Sequence, residues 1–169
     1  MKIGNKETSF DADIKYGSMG EEIFRKNFLE FLDIKYMNVT GCQAFQVIDS
    51  DYLTKIGLYE VKLNYKDNKQ LIIEDFTNIN EELAPISKGW FYKSEADLIV
   101  FISGETKIMI FMPMTEQLKK YYEDIKENFE LKRNKISYHN GNKWQSAYRR
   151  IPFDSLKGFI SIYKKLANA

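Results

Sequence analysis

The stretch Leu58-Tyr59-Glu60-Val61-Lys62-Leu63 is a short apolar run that carries one acid and one base, and it decides the fold. A run of this length and composition is typical of a buried β-strand. Side chains alternate between the faces of a strand, so Glu60 and Lys62 are expected on one face with Val61 buried behind them. Taken alone, the Glu-x-Lys triplet is also compatible with any half-exposed strand, because polar and apolar residues alternate there as well.

The segment before this strand supplies further acids. We expect a strand that ends in Asp49-Ser50-Asp51, followed by a turn at Thr54-Lys55-Ile56-Gly57. Hairpin pairing across that turn puts Asp51 opposite Glu60 and Asp49 opposite Lys62, so that two or three carboxylates share a face with an ammonium. Phosphodiester hydrolysis can use such a set, because carboxylate oxygens hold Mg²⁺ near a phosphate while a lysine orients or activates the attacking water. The hairpin therefore predicts a metal-dependent nuclease site.

Length and composition restrict the class of protein. The 169 residues, 44% of them hydrophobic, suffice for one domain over residues 1–169 with a sizeable core. No apolar run approaches the ~20 residues of a membrane helix, and residues 1–10 lack the apolar stretch of a signal peptide, so we expect a cytoplasmic protein without membrane contact. With Cys42 as the one cysteine and His139 as the one histidine, an internal disulfide and a structural zinc site are excluded. A carboxylate site suits Mg²⁺ or Mn²⁺.

Charge is divided unevenly along the chain. Residues 1–118 carry 13 Lys and Arg against 19 Asp and Glu, whereas residues 119–169 carry 12 against 5. A metal site needs local negative charge and a phosphate-binding surface needs positive charge, so the division favours a nuclease that binds DNA. A solvated basic surface is the alternative. The candidate phosphate contacts are Lys132, Arg133, Lys135, Lys143, Arg149 and Arg150.

Hydrophobic periodicity predicts the order of elements. The first predicted helix is 18–33, which begins at the capping-box spacing Ser18-Met19-Gly20-Glu21. The second is 116–131, with Thr115 as its cap. The final helix is capped by Asp154, and its apolar stripe ends at Leu166. The predicted strands are 44–51, 58–63 and 70–76 in an antiparallel meander, then a hairpin of 96–102 and 107–112. We expect an arm or short strand at 1–16, a loop at 78–94 and a basic connection at 132–150 with weak strand character near 136–138. This order predicts a mixed α/β fold with a central sheet.

An Asp at a strand end, a short hairpin and Glu-x-Lys on the next strand resemble the pattern of the PD-(D/E)XK nuclease superfamily, in which an acid of the first helix often joins the site. The matching positions are Asp51, Glu60 and Lys62, with Glu21 as the helical acid. The literal Pro-Asp is absent, because Ser50 precedes Asp51. Asp49 therefore stays as an alternative to Asp51.

The resemblance extends over most of the chain. The strand Leu71-Ile72-Ile73-Glu74 matches the strand that follows Glu-x-Lys in the family, and residues 88–97 look like the Trp-x-x-x-Ser-x-Ala-Asp segment of some phage and bacterial members. Ile151-Pro152-Phe153 adds to the likeness. The resemblance implies a restriction-endonuclease-like core with a central mixed β-sheet flanked by helices, similar to that of restriction endonucleases or Holliday-junction resolvases.

The resemblance also implies a role for each site residue. Asp51 and Glu60 would bind Mg²⁺, with the backbone carbonyl of Val61 as a further ligand. Lys62 would position the attacking water and stabilise charge in the transition state. Glu74 is either a supporting acid of the metal site or a strand-end charge.

Two features of the site have competing explanations. Glu21 is preferred to Glu22 because Phe24 and Phe28 lie three and seven residues further on, which places Glu21 on the face that packs against the sheet. Glu21 could instead complete a capping box with Ser18. Three more side chains are assigned from chemistry alone: Trp90 and Tyr92 either stack on bases or are buried, and Asp97 is expected to fix local geometry through hydrogen bonds.

The resemblance implies a divalent-metal-dependent nuclease that hydrolyses DNA in phage or bacterial recombination, repair or restriction, without a small organic cofactor. The alternative is a catalytically inactive nuclease-fold protein that binds nucleic acid or a protein partner. A small-molecule or RNA-processing hydrolase is a third hypothesis, because fold does not settle substrate. An enzyme of this kind that cuts both strands is expected to form a homodimer, since a twofold pair presents two sites at symmetric phosphates.

Overall fold

A computed structural model describes residues 9–64, 69–79, 85–103, 106, 108–139 and 142–163. Its helices are α1 (Ser9–Phe24), α2 (Gln43–Val47), α3 (Trp90–Lys93) and α4 (Glu116–Ile125). A π-helical turn, Arg25–Leu29, continues α1, and 3₁₀ turns lie at Lys126–Asn128 and Phe153–Leu156. No helix within the described ranges is long and apolar enough to cross a membrane.

The strands lie between and after the helices, most of them in runs of two to four along the chain. They are β1 (Tyr36–Asn38), β2 (Tyr52–Thr54), β3 (Gly57–Asn64), β4 (Gln70–Ile79), β5 (Pro85–Lys88), β6 (Leu98–Ser103), β7 (Met109–Pro113), β8 (Lys132–Arg133), β9 (Ser137–His139), β10 (Asn142–Trp144), β11 (Ala147–Pro152) and β12 (Ser161–Tyr163). The fold is therefore mixed α/β.

The central sheet has six strands in the order β1-β2-β3-β6-β7-β12. All neighbours are antiparallel except β3 and β6, which run parallel, so the sheet is mixed as predicted. A second, antiparallel sheet has the order β5-β4-β11-β8, and β9 pairs with β10 in a separate hairpin.

The central sheet is covered on both faces, which explains why β6 is an unbroken apolar run. Val100 and Ile102 of β6 pack with Phe24 of α1 on one face. Ile99 and Phe101 point to the other face, where the second sheet and α4 complete a larger core. Because β3 lies beside β6, its polar side chains are held at the edge of this larger core.

A buried polar group joins the second sheet to α4. The Arg149 guanidinium donates from Nε to Asp75 Oδ2 at 2.7 Å, and the Tyr122 hydroxyl donates to Asp75 Oδ1 at 2.5 Å. Arg149 also donates to the backbone carbonyls of Lys126 and Phe129 at the end of α4. The Arg149 guanidinium is therefore held inside the protein by hydrogen bonds to Asp75 and to these two carbonyls.

Several predicted elements are confirmed. The strand 58–63 is the core of β3, 96–102 and 107–112 form the β6–β7 hairpin, and 70–76 lies within β4. The Thr115 hydroxyl accepts a hydrogen bond from the Leu118 N–H at 3.1 Å, as expected for a helix cap, although α4 is shorter than predicted. Residues 104, 105 and 107 of the predicted hairpin lie outside the described residues.

The N-terminal half differs from the prediction in three places. Helix α1 begins at Ser9, so Ser18 lies inside it and caps nothing; the described part of the predicted arm is helical. Residues 43–47 form helix α2 instead of a strand, and the strand that pairs with β3 on this side, β2, begins only at Tyr52. The meander is also wrong: β4 leaves the central sheet, and the second neighbour of β3 is β6.

The C-terminal predictions fail more widely. The expected loop at 78–94 contains the end of β4, β5 and α3. The basic connection at 132–150 contains four strands, of which β9 confirms the strand character expected near 136–138. In place of the final helix, a 3₁₀ turn is followed by β12, which pairs with β7 at the edge of the central sheet. The predicted position of Leu166 lies outside the described residues.

Candidate active site

A cleft of about 380 Å³ lies where α1 crosses β3, and four predicted site residues line it. Glu60 and Lys62 come from β3, Asp51 precedes β2, and Glu21 comes from α1. The cleft thus brings the acid of α1, Glu21, together with two acids and one base that lie within residues 51–62.

Strand β3 sets the positions of Glu60 and Lys62. In the parallel ladder with β6, Glu60 is paired with Ile99 and Lys62 with Phe101, so both side chains project toward the larger core. The Glu60 side chain is only 8% exposed, and the Lys62 Nζ forms an ion pair with Glu60 Oε1. Because the two residues share one face, the geometry predicted for the Glu-x-Lys triplet is confirmed.

The β2–β3 hairpin positions Asp51. The ladder between β2 and β3 begins where Tyr52 pairs with Tyr59, and Asp51 lies one residue before it. The Asp51 N–H donates to the Tyr59 carbonyl, and Asp51 Oδ2 accepts a hydrogen bond from the Val61 N–H, both at 2.8 Å. These bonds hold Asp51 beside β3, close to Glu60, but Asp51 lies just before β2, so its predicted pairing with Glu60 is not part of the β2–β3 register.

Asp49 does not pair with Lys62, and that part of the predicted register is wrong. The residue lies in the turn after α2 with a φ of 50°, a left-handed conformation that takes it out of the hairpin. It lines a smaller cavity of about 220 Å³ on the α2 side of Asp51 and Glu60. Asp49 therefore contributes negative charge near the cleft without lining it.

Close contact between α1 and β3 places Glu21 in the cleft. A Cβ atom at Gly20 would lie 2.9 Å from Leu63 Cβ, so only glycine allows the helix to approach this strand without displacement. With Ser18 inside α1, the capping box is absent and the Glu21 carboxylate is not required as a cap. Glu22 is exposed and forms an ion pair with Lys26 at 2.6 Å. Glu21 is thus the helical acid that faces the site.

The carboxylates in the cleft have perturbed proton affinities. Burial raises the pKa of Glu60 to about 7 and that of Asp51 to about 6. Burial, reinforced by repulsion from Glu60, raises the pKa of Glu21. Burial opposes the charged form of Lys62, but attraction to Glu60 and the neighbouring aspartates outweighs it, so the Lys62 pKa is raised. One ammonium therefore faces several acids, and a cation would relieve their repulsion.

The donor set fits a hard divalent cation only in part. Within the described ranges, no three Asp, Glu, His or Cys side chains form a group that could hold a metal ion as they stand. Asp51 and Glu60 are adjacent oxygen donors, and the backbone of Val61 lies between them and lines the cleft. The Lys62 ammonium is paired with Glu60 Oε1, so a cation that binds this oxygen must displace the ammonium.

Residues 90–97 support the candidate site through contacts with Lys62 and with the turn that contains Asp49. The Lys62 ammonium lies 5.4 Å from the centroid of the Trp90 ring, a cation–π contact that limits where this side chain can go. The Glu95 N–H donates to the Ile48 carbonyl at 3.1 Å, and the Ser94 hydroxyl donates to the Asp49 carbonyl at 3.4 Å. This segment fixes the turn that carries both aspartates.

Asp97 has the structural role that was expected. Its Oδ2 accepts a hydrogen bond from the Leu58 N–H at 2.8 Å, and its own N–H donates to the Leu58 carbonyl at 2.9 Å. A Cβ atom at Gly57, whose φ is 142°, would lie 2.5 Å from the same Oδ2. The aspartate therefore fastens the start of β3 to the start of β6.

Glu74 lies near the site but does not line the cleft. Its Oε1 accepts a hydrogen bond from the Thr77 hydroxyl at 3.2 Å. Burial raises the pKa of Glu74, and Thr77 and then Lys62 lower it, so this carboxylate is close enough to interact with the ammonium. Both explanations of Glu74, supporting acid and strand-end charge, stay open.

The predicted basic contacts separate into two groups. Arg149 is buried and bound to Asp75 and Glu127, so it is not available to a phosphate. Arg150 is exposed on the opposite face of β11, Lys132 is half-buried beside Glu130, and Arg133 and Lys135 are exposed. The side chains of Lys143 and His139 lie outside the described residues.

Trp90 and Tyr92 both pack on the larger core, which favours their burial over base stacking. Trp90 lies 5.8 Å from Phe101 between ring centroids, and Tyr92 donates its hydroxyl hydrogen bond to Glu123. The support of Lys62 by Trp90 was not predicted. A glycine inside a predicted helix, Gly20, was the signal that could have indicated the close approach of α1 to the strand.

No family model, curated protein or solved structure matches the chain. The functional assignment therefore depends on the residues of the cleft.

Proposed function

We propose that the protein is a divalent-metal-dependent nuclease that hydrolyses DNA phosphodiester bonds on a restriction-endonuclease-like core. The observation that carries the proposal is the joint placement of Asp51, Glu60 and Lys62 at one hairpin, with Glu21 in the same cleft. Buried acids beside an ammonium are costly to maintain, and a scaffold without chemistry has no need of them. Phage or bacterial recombination, repair or restriction is the expected setting.

In the proposed mechanism, Asp51 and Glu60 hold Mg²⁺ or Mn²⁺, with the Val61 carbonyl as a further donor. The bound ion would supply Lewis-acid stabilisation of negative charge on the phosphate. Lys62 then turns from Glu60 toward the attacking water and a phosphate oxygen, within the range that Trp90 allows. Water oxygen attacks phosphorus, and Glu21, whose pKa is raised, accepts the proton that the water loses. The P–O bond to the leaving oxygen breaks, and that oxygen takes a proton from solvent to become a hydroxyl.

The first prediction concerns Lys62. Lys62→Ala should lower the cleavage rate at least about 100-fold, because it removes charge placed where the transition state becomes negative. The assay uses end-labelled single strands, duplexes, flaps and four-way junctions, with Mg²⁺, Mn²⁺ or EDTA. Cleavage by the wild type should require the metal.

Matched variants make this test specific. Lys55→Ala, in the exposed turn of the same hairpin, should cleave at the wild-type rate. Glu21→Gln should lose activity whereas Glu22→Gln should not, and Asp51→Asn should be more damaging than Asp49→Asn. A Lys62→Ala protein that cuts at the wild-type rate would overturn the assigned site.

A catalytically inactive protein that binds nucleic acid is the second candidate. The ion pair between Lys62 and Glu60, together with the lack of a ready three-acid group in the described part of the chain, favours it. Binding of DNA without cleavage of any substrate in either metal would select this alternative.

A further inference from the structure

The outer face of the second sheet continues directly from the cleft. Ile72 of β4 lines the cleft, and the β4–β11 register pairs Ile72 with Arg150 and Glu74 with Tyr148. Residues directly opposite each other in an antiparallel pair have their side chains on the same face, about 5 Å apart. Arg150 therefore lies one cross-strand step from the wall of the cleft.

Strand alternation determines which side chains of β11 lie on this outer face. Arg149 and Ile151 of β11 are buried, so Tyr148 and Arg150 project outward. Tyr148 is half-buried, Arg150 is exposed, and the guanidinium carbon lies 5.9 Å from the centroid of the tyrosine ring. Lys132 of β8 pairs with Tyr148 on the other side. We call these residues, with Ile72 and Glu74, the Tyr148 face.

We propose that the Tyr148 face binds unpaired nucleotides next to the scissile phosphate, so that the substrate is DNA with a single-stranded segment at the cut. This inference rests on the proposed nuclease function. Single-strand binders combine an aromatic ring, on which a base stacks, with cationic side chains that contact the backbone. Tyr148 and Arg150 supply both groups beside the cleft.

The charged side chains of the Tyr148 face interact differently with the base and with the phosphate of a nucleotide. Glu74, which pairs with Tyr148, repels a phosphate from the ring and leaves the ring to a neutral base. Arg150 lies one pair nearer the cleft, where the phosphate backbone would enter. A duplex keeps its bases paired inside and cannot present one to the Tyr148 ring.

The test measures DNA affinity by fluorescence anisotropy with Ca²⁺ in place of Mg²⁺. Tyr148→Ala should weaken binding of a single strand roughly 5- to 100-fold, whereas a blunt duplex should be affected less than about twofold. Tyr148→Phe should bind as the wild type does, because the ring is kept. Arg150→Ala should reduce the salt slope for single strands by about 0.7. Lys120→Ala, an exposed charge on α4, is the matched control and should change neither quantity.

The outcomes separate this inference from the nuclease assignment. Wild-type single-strand affinity in both Tyr148→Ala and Arg150→Ala, or equal losses on single strand and duplex, would overturn the inference even in an active enzyme. If a thermal melt shows that Tyr148→Ala is unfolded at the assay temperature, the single-strand affinity and salt slope of Arg150→Ala decide whether the inference stands. If these variants lose single-strand affinity but the wild-type protein cleaves no substrate, the Tyr148 face binds single strands and the nuclease proposal is wrong.

Discussion

At the scale of residues, the β2–β3 hairpin holds Asp51 in a buried position where neighbouring acids repel it. Burial is the largest cause of its raised pKa, and the hydrogen bond from the Val61 N–H only partly compensates. A carboxyl group whose pKa is higher in the folded protein than in the unfolded chain stabilises the fold at low pH. That contribution is lost as the pH rises through the folded pKa, about 6 here.

Asp51→Asn should therefore stabilise the protein without metal at high pH. The amide oxygen can still accept the Val61 N–H, but the buried charge is gone. The gain in unfolding free energy should be near zero at about pH 4 and should rise between about pH 4 and pH 6. Above the folded pKa it should level off, at about 2 kcal/mol by pH 8. Urea denaturation at a series of pH values measures it.

The exposed Asp124 on α4 gives the control, since Asp124→Asn removes the same charge from a solvated position. A stability difference for Asp51→Asn that does not vary with pH would contradict the raised pKa. A stabilised but inactive Asp51→Asn would also show that the acid is retained for a function other than folding.

At this scale, sequence reasoning predicted the geometry of the candidate cleft best where local rules decide. Strand alternation puts Glu60 and Lys62 on one face, and the turn before β3 brings Asp51 close to them. Asp49 was misplaced because helix α2 and a left-handed residue precede β2, and neither has a strong signal in the sequence. Arg149 was misassigned because its partner Asp75 is 74 residues away along the chain.

At the scale of elements, the contact of α1 with β3 decides where Glu21 lies. Alanine is favoured over glycine inside a helix by about 1 kcal/mol, so a glycine retained there indicates a steric requirement. At Gly20 the requirement is the approach to Leu63, whereas a Cβ atom at Gly17 would meet no atom of the described residues within 4 Å.

Gly20→Ala should destabilise the protein and displace Glu21, because its Cβ cannot fit against Leu63 unless the helix moves. Gly17→Ala, in the same helix, should stabilise the protein by about 0.5–1 kcal/mol. Thermal and urea unfolding measure both variants. Adding Leu63→Gly to Gly20→Ala should recover part of the lost activity, because it removes the Leu63 Cβ atom that the alanine would meet. Equal stabilisation by the two alanines would show that α1 is not in close contact with the strand.

Element prediction from sequence succeeded where the local signal was strong and failed where tertiary pairing decides. Strand β3, the β6–β7 hairpin and the Thr115 cap have strong local signals. The end of the chain looked helical because Leu156, Phe159 and Ile160 have helical spacing, yet β12 gains hydrogen bonds from the edge of β7. No local pattern contains that information.

At the scale of the whole molecule, the second sheet and α4 are joined through the buried Arg149–Asp75 pair. The basic character of the C-terminal part of the chain is thus partly internal, and its count of cations overstates the surface available to DNA. Arg150, next in sequence, is exposed. The two arginines form a natural pair for comparison, since one holds the fold and the other lies on the Tyr148 face.

Arg149→Met should lower the unfolding free energy by about 3–5 kcal/mol, because it leaves the Asp75 charge buried without its partner. Arg150→Met should change it by less than about 0.5 kcal/mol, since an exposed charge contributes little. Urea denaturation at one pH compares them. Replacing Asp75 with Asn in the Arg149→Met protein should restore part of the loss, because the uncompensated charge is then removed while the amide oxygen can still accept from the Tyr122 hydroxyl. An Arg149→Met protein as stable as Arg150→Met would mean that the guanidinium is solvated and available to phosphate after all.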